Sequence, residues 1–404
     1  MNASETPDQF ARPVRVCHIN LFSYPALLRD ATRPPQATGG AELQQALVAR
    51  AAVRRGVNSS FVTLDVGQGS EIEVDGLRIL AAYRREAGWP GARFFHPRLS
   101  GLYRALRRAD ADVYYLSGGD GFLGIVAWIV GRLRRRLVLR IVSDADCDPR
   151  RLISSSFKDP WLYRYGLPRA DVVLAQTEQQ RAMLRKNFGV ESEVVADMVA
   201  PWPRVTPFEQ RDMDVLWVAN LRALKRPEMF VELARRLPKW RFHLVGGDPQ
   251  NGDAYLQRLR GLASEIPNLT LHGSVDQEAT LALFDRGRLL VNTSEVEGFP
   301  NTFFQAWVRA IPVVSFFDPD RRIGTHGLGV AVPDLDTMAA AIGALLEDEA
   351  RRRRLGEQAL QFMQKHYDPE RLIEPYLSVF RRFAPRRPQS AAPASVTHPI
   401  RERA

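Results

Sequence analysis

Residues 294–315 hold the densest chemistry in this chain of 404 residues. The apolar run Leu289, Leu290, Val291 leads into the carboxylate of Glu297, the bare backbone of Gly298 and a polar helix start at Asn301 and Thr302. A second apolar run, Ile311 to Val314, follows. That order predicts strand, tight loop, helix, strand. It leaves Glu297 and a row of free backbone N–H groups at one sheet edge. Such an edge can hold sugar hydroxyls with the acid and phosphates with the amides.

The stretch resembles the donor-binding signature of glycosyltransferase family 4, the retaining sugar transferases of GT-B fold. Glu297, Gly298, Phe299, Pro300 and Asn301 match that signature, and its second Glu falls on Gln305. The resemblance implies that Glu297 holds the donor sugar's hydroxyls while position 305 grips the nucleotide ribose. A neutral amide can still bond two ribose hydroxyls, without the roughly twofold strength of a charge-assisted bond. Thr302 and Gln305 also have capping-box spacing, in which Gln305 would secure the helix start. Both roles stand at this point.

Two more loops are similar to the family's. Ala219 to Pro227 follows an apolar run, and its Lys225 matches a phosphate-binding lysine. The family's arginine falls on Asn220, and Arg222 lies two residues away. Cations are needed there because breaking a sugar–phosphate bond leaves a diphosphate of growing charge. Gly39 and Gly40, between the first predicted strand and an amphipathic helix, resemble the family's Gly-Gly-Ala-Glu loop; without side chains they let a diphosphate approach the backbone at a helix start. A simple turn is the plainer reading of the pair. Many family members carry a His where this chain reads Ser117-Gly-Gly-Asp120, so acceptor-side chemistry is unassigned. Asp144 and Asp146 have a spacing that could ligate a hard cation. Acceptor contact or loop hydrogen bonding are the other readings, and the resemblance requires no metal. The histidines show no metal-ligand spacing. Neither a P-loop nor a dinucleotide fingerprint is present, so ATP and NAD readings fall away.

Bulk properties suit an enzyme of two domains, since 45% of the chain is hydrophobic and its length exceeds one ordinary core. No stretch approaches a membrane span, the start is polar, and two cysteines cannot form a disulfide framework, so a cytoplasmic setting is expected. The net charge of +10 is concentrated: Leu77 to Arg140 contain thirteen arginines and four acids. Without a reading motif or aromatic-basic interleaving, nucleic acid is not the expected partner. An anionic membrane surface suits the patch better, touched by Phe122 to Val130 and the arginines 132–136. The competing reading makes that run a buried crossover helix with cations at its C-terminal end.

Strand and helix patterns alternate along the chain, with strands expected at Val14–Ile19, Phe61–Leu64, Asp112–Leu116, Leu137–Val142, Asp171–Ala175, Val215–Ala219 and Phe242–Val245. This predicts α/β architecture with doubly wound parallel sheets. The resemblance makes it GT-B, two Rossmann-like domains facing across a cleft: an acceptor-side domain over 1–200, a linker over 201–212 and a donor domain over 213–384, its last helix free to pack back on the first. Residues 385–404 read as a disordered tail. The expectation is a metal-independent retaining transferase, without a cofactor, that moves sugar from a nucleoside-diphosphate sugar to a glycan or lipid-linked acceptor at the inner membrane face. A catalytically silent nucleotide-sugar-binding protein of the same fold is the alternative.

Overall fold

The computed structural model describes residues 12–28, 39–152, 158–200, 202–247 and 254–385. The tail and most of the polar N-terminus lie outside the described residues. Within them the chain builds two parallel-sheet α/β units. The first carries β1 (Arg15–Ile19), β2 (Asn58–Thr63), β3 (Glu71–Val74), β4 (Leu77–Ala81), β5 (Val113–Ser117), β6 (Arg136–Arg140), β7 (Val172–Ala175) and β8 (Glu193–Val194). They pair in the order β3-β4-β2-β1-β5-β6-β7-β8, all parallel except the edge pair β3–β4. The second unit carries β9 (Val215–Val218), β10 (Phe242–Val245), β11 (Leu269–Gly273), β12 (Leu290–Asn292), β13 (Val313–Ser315) and β14 (Gly329–Ala331). Its order is β11-β10-β9-β12-β13-β14.

The central strands are short apolar runs because helices cover both faces of a parallel sheet. Val16, Val113, Tyr115, Val138 and Leu174 are buried on one side of the first sheet, and Cys17, Ile19, Tyr114, Leu137 and Leu139 on the other. The segment 122–132 forms a helix whose Leu123, Val126, Ile129 and Val130 are buried against this core, with Trp128 facing out. Burial in the crossover position therefore corrects the reading of that run as a bilayer-facing surface.

The helix Glu374–Arg381 lies on the first unit, although it follows the second in sequence. Tyr376 donates to the Ala196 carbonyl at 3.0 Å, Phe380 meets Tyr115 edge-on at 5.6 Å, and Arg382 pairs with Glu193 at 2.7 Å. Its apolar side chains belong to a core continuous with that of the second unit.

Candidate active site

In an open α/β sheet, ligands bind beyond the carboxyl ends of the strands where the strand order reverses. For the second sheet that point lies between β9 and β12. Lys225 follows β9, and Glu297 follows β12. The loop holding Lys225 is pinned down by its neighbours. Trp217 Nε1 donates to the Thr293 hydroxyl at 2.9 Å, and that hydroxyl reaches the carbonyls of Lys225 and Arg226 at 2.8 and 3.0 Å. Glu295 N–H binds the Leu224 carbonyl at 2.9 Å. Lys225 Nζ thereby meets both oxygens of Glu297, at 2.7 and 2.6 Å. Asn292 Nδ2 also donates to Glu297 Oε1, at 3.2 Å.

These groups open onto a cavity of about 360 Å³ between the two units. Gly39, Gly40, Arg222, Lys225, Glu297, Gly298, Phe299, Pro300, Asn301, Thr302 and Gln305 all line it, so the structure brings every expected site residue to one place. Their local roles differ in detail. The helix Asn301–Trp307 starts after Pro300 with no side-chain cap, so Thr302 sits inside its first turn. The capping-box reading of Thr302 and Gln305 is thus overturned, and Gln305 is left facing the cavity. Phe299 N–H is not available to a ligand, because it donates to Gln176 Oε1 at 3.2 Å. Asn301 and Thr302 retain the first-turn N–H groups that helix geometry leaves unpaired.

The loop 297–301 also makes contact across the cleft. Asp144 N–H donates to the Glu297 carbonyl at 2.8 Å. Asn301 Nδ2 donates to the Gly40 carbonyl at 2.9 Å and its Oδ1 accepts from Gln44 at 2.6 Å. A methyl group on Gly298 would lie 2.0 Å from Gln176 Oε1 and 2.3 Å from the Val142 carbonyl, so close approach of the two units requires glycine there. Gly40 leaves room in the same way for the Asn301 amide, and Gly39 for the Glu42 carboxylate. Behind the loop, Gln176 donates to Asp197 at 2.9 Å, and Asp197 forms a fully buried ion pair with Arg140. Sequence reasoning missed Gln176, Asp197, Arg140 and Asn292. The arginine inside the apolar run Leu137–Val142 was the one visible signal, since a cation there must find a buried partner.

Asp144 and Asp146 serve the loop that follows β6. Asp146 accepts the Val142 and Ser143 N–H groups at 3.1 Å each, and Asp144 accepts from Gln179 and Gln180 at 3.0 and 3.1 Å. Among the described residues no cluster of three or more metal-ligating side chains occurs. Burial pushes the Asp146 carboxyl up to about 7, against the two N–H bonds, which favour the charged form. The folded state therefore binds more protons than the unfolded one between the ordinary value of 3.8 and about 7, and this group's contribution to stability falls as pH rises through that window. Asp146→Asn keeps an oxygen for the same N–H donors and removes the titration. Its melting temperature should rise relative to wild type between pH 5 and pH 8. A difference that stays constant with pH would contradict this assignment.

Comparison with known proteins agrees with the geometry. The second unit matches the profile described as glycosyl transferases group 1 over residues 212–348, and the first matches the glycosyl transferase 4-like domain over residues 39–196. The architecture is that of the GT-B sugar transferases. It superposes on sucrose-phosphate synthase from Thermosynechococcus elongatus with TM-score 0.75 at 20% identity, covering 92% of this chain and 99% of that one. Anabaena HepE, solved with UDP and glucose, gives TM-score 0.69 at 14% identity over 91% of this chain and all of that one. This chain belongs to the group 1 glycosyltransferases. Among curated relatives, an exopolysaccharide phosphotransferase of Streptomyces coelicolor is 26% identical over 278 residues, covering 64% of this chain and 27% of that protein. The D-inositol 3-phosphate glycosyltransferase of Nocardia farcinica is 26% identical over 278 residues, covering 61% and 60%. The chain spans less than two thirds of the length of either.

Proposed function

We propose that this protein transfers a sugar, with retention, from a nucleoside-diphosphate sugar to a glycan or lipid-linked acceptor in polysaccharide or glycolipid assembly. The observation that carries this reading is the Lys225–Glu297 pair at the strand-order reversal of the second sheet, facing the cavity between the units. Within the site the two charges satisfy one another. A bound donor separates them: the diphosphate takes the ammonium, and sugar hydroxyls donate to the carboxylate. Arg222, exposed at the cavity rim, adds a second cation as the leaving group's charge grows. Gln305 holds the ribose.

Retention is supported by the family 4 resemblance, in which the acceptor attacks on the leaving group's own face and a phosphate oxygen helps take its proton. The bound UDP and glucose of HepE support the donor class. Contacts through Asn301 and Gln176 hold the units together at the cavity, and domain closure over the donor would exclude the water that otherwise hydrolyses it.

Saturation-transfer NMR with UDP-, GDP- and ADP-sugars tests the reading. One donor should show transfer to its ribose and sugar protons, be displaced by its nucleoside diphosphate, and be slowly hydrolysed or transferred. No transfer from any donor would remove the proposal. Binding without turnover across a broad acceptor panel would favour the silent binding protein, for which Asn220, Gln305 and the missing His at Ser117–Asp120 stand as departures from the family pattern.

A further inference from the structure

The segment 83–99, between β4 and the helix Ser100–Ala109, exposes what folded proteins usually cover. Trp89 is 84% exposed, Phe95 66% and Phe94 46%, and the stretch Phe94–Leu99 contains no buried residue. Phe22, on the loop after β1, is 52% exposed, and the Arg85 guanidinium lies 6.0 Å from its ring centre. Four large apolar rings turned outward on adjoining loops are a patch rather than scattered exceptions.

Charge accompanies the rings. Arg84, Arg85 and Arg93 are exposed around them, with Glu86 the one acid between residues 83 and 99. Arg84 makes a solvent-exposed pair with Asp65 at 3.2 Å, and among the described residues neither Arg85 nor Arg93 forms an ion pair. Of the arginines after the helix 122–132, Arg135 pairs with Asp110 at 2.7 Å and Arg136 with Asp171 at 2.8 Å, while Arg134 forms no ion pair among the described residues. Free cationic charge and exposed aromatic surface therefore coincide on 84–95.

The segment also leaves the cavity-facing edge of its sheet. It runs from the carboxyl end of β4, held there by the Asp65 N–H bond to the Tyr83 carbonyl at 2.9 Å. Phe22 adjoins Ser23, whose hydroxyl reaches the Glu42 carbonyl at 3.5 Å, and Glu42 lines the cavity.

We propose that residues 84–95 with Phe22 are a docking surface for an anionic lipid bilayer, which presents a lipid-linked acceptor at the cavity mouth. This deepens the acceptor reading above and rests on it. Aromatic rings settle at the headgroup boundary, where one side is apolar and the other wet, and arginines are drawn to anionic headgroups.

Co-sedimentation with vesicles of phosphatidylcholine, with and without phosphatidylglycerol, tests it on the full chain. The protein should sediment with the phosphatidylglycerol vesicles and be released by salt. The double changes Trp89→Ala with Phe95→Ala, and Arg85→Glu with Arg93→Glu, should each weaken binding by about tenfold or more. Donor saturation transfer should be unchanged in both variants, which separates this result from failure of the donor site or of folding. Equal binding to both vesicle types, or variants that sediment like wild type, would overturn the proposal. So would arginine variants that lose binding to duplex RNA while keeping vesicle binding.

Discussion

Lys225→Ala should lower kcat/KM at least about thirtyfold, because removing one partner of a hydrogen-bonded, desolvated charge pair costs about 2–5 kcal/mol. The site makes the loss hard to compensate. Glu297 is 9% exposed, and without the ammonium its carboxylate keeps, among the described residues, only Asn292 Nδ2 at 3.2 Å. On the proposed reading the change also withdraws the ammonium that receives the departing diphosphate. Arg222 remains at the rim, so activity should fall without vanishing. Lys225→Arg should recover part of the loss, since it restores the charge without the compact ammonium geometry. A Lys225→Ala enzyme with near wild-type kcat/KM would rule out the assigned role.

Asp197→Ala should be the most damaging single change to stability. Arg140 is 1% exposed and Asp197 lies wholly inside, so the truncation leaves a buried cation without its anion. Breaking such a pair costs about 3–5 kcal/mol, which corresponds to a melting-temperature drop of roughly 6 °C or more for a unit of this size. Gln176 would lose its Asp197 anchor as well, and with it the firm placement of the Phe299 N–H. Activity should therefore fall even below the melting transition. Replacing both Arg140 and Asp197 by leucine should restore much of the stability, because two apolar residues leave no unpaired charge. A melting point within about 1 °C of wild type for Asp197→Ala would show that the pair carries no such weight.

The fold was legible where side-chain pattern and element type coincide. Apolar runs such as Val215–Val218 and Leu137–Leu139 can be little other than interior strands of a covered parallel sheet. The loop 297–301 was legible because Glu297 and Gly298 combine an acid with a residue that has no side chain to collide, and the structure shows what Gly298 must avoid. What escaped notice involves residues remote in sequence. Gln176 acts through Phe299, 123 positions away, and Asn301 reaches Gly40 over 261. Nothing local marks either contact, since glutamine and asparagine suit loops and surfaces equally well. Asp320 is similar: it caps the N–H groups of Glu178 and Gln179 at 3.1 Å across the cleft, and no local pattern announces it. The capping-box reading of Gln305 failed because Pro300 already occupies the N-cap, which leaves Thr302 two residues inside the helix. The helix 122–132 was ambiguous because a buried crossover helix and an interfacial one share an apolar face followed by cations.

The most direct measurement is calorimetric titration of the nucleoside-diphosphate sugar selected by NMR, and of the matching nucleoside monophosphate, into wild type and Lys225→Ala. If the ammonium grips the outer phosphate beside the sugar-binding carboxylate, the variant should bind the diphosphate sugar at least about tenfold more weakly and the monophosphate almost unchanged. Equal affinity of both proteins for the diphosphate sugar, or equal losses for both ligands, would contradict the placement of the phosphate at Lys225.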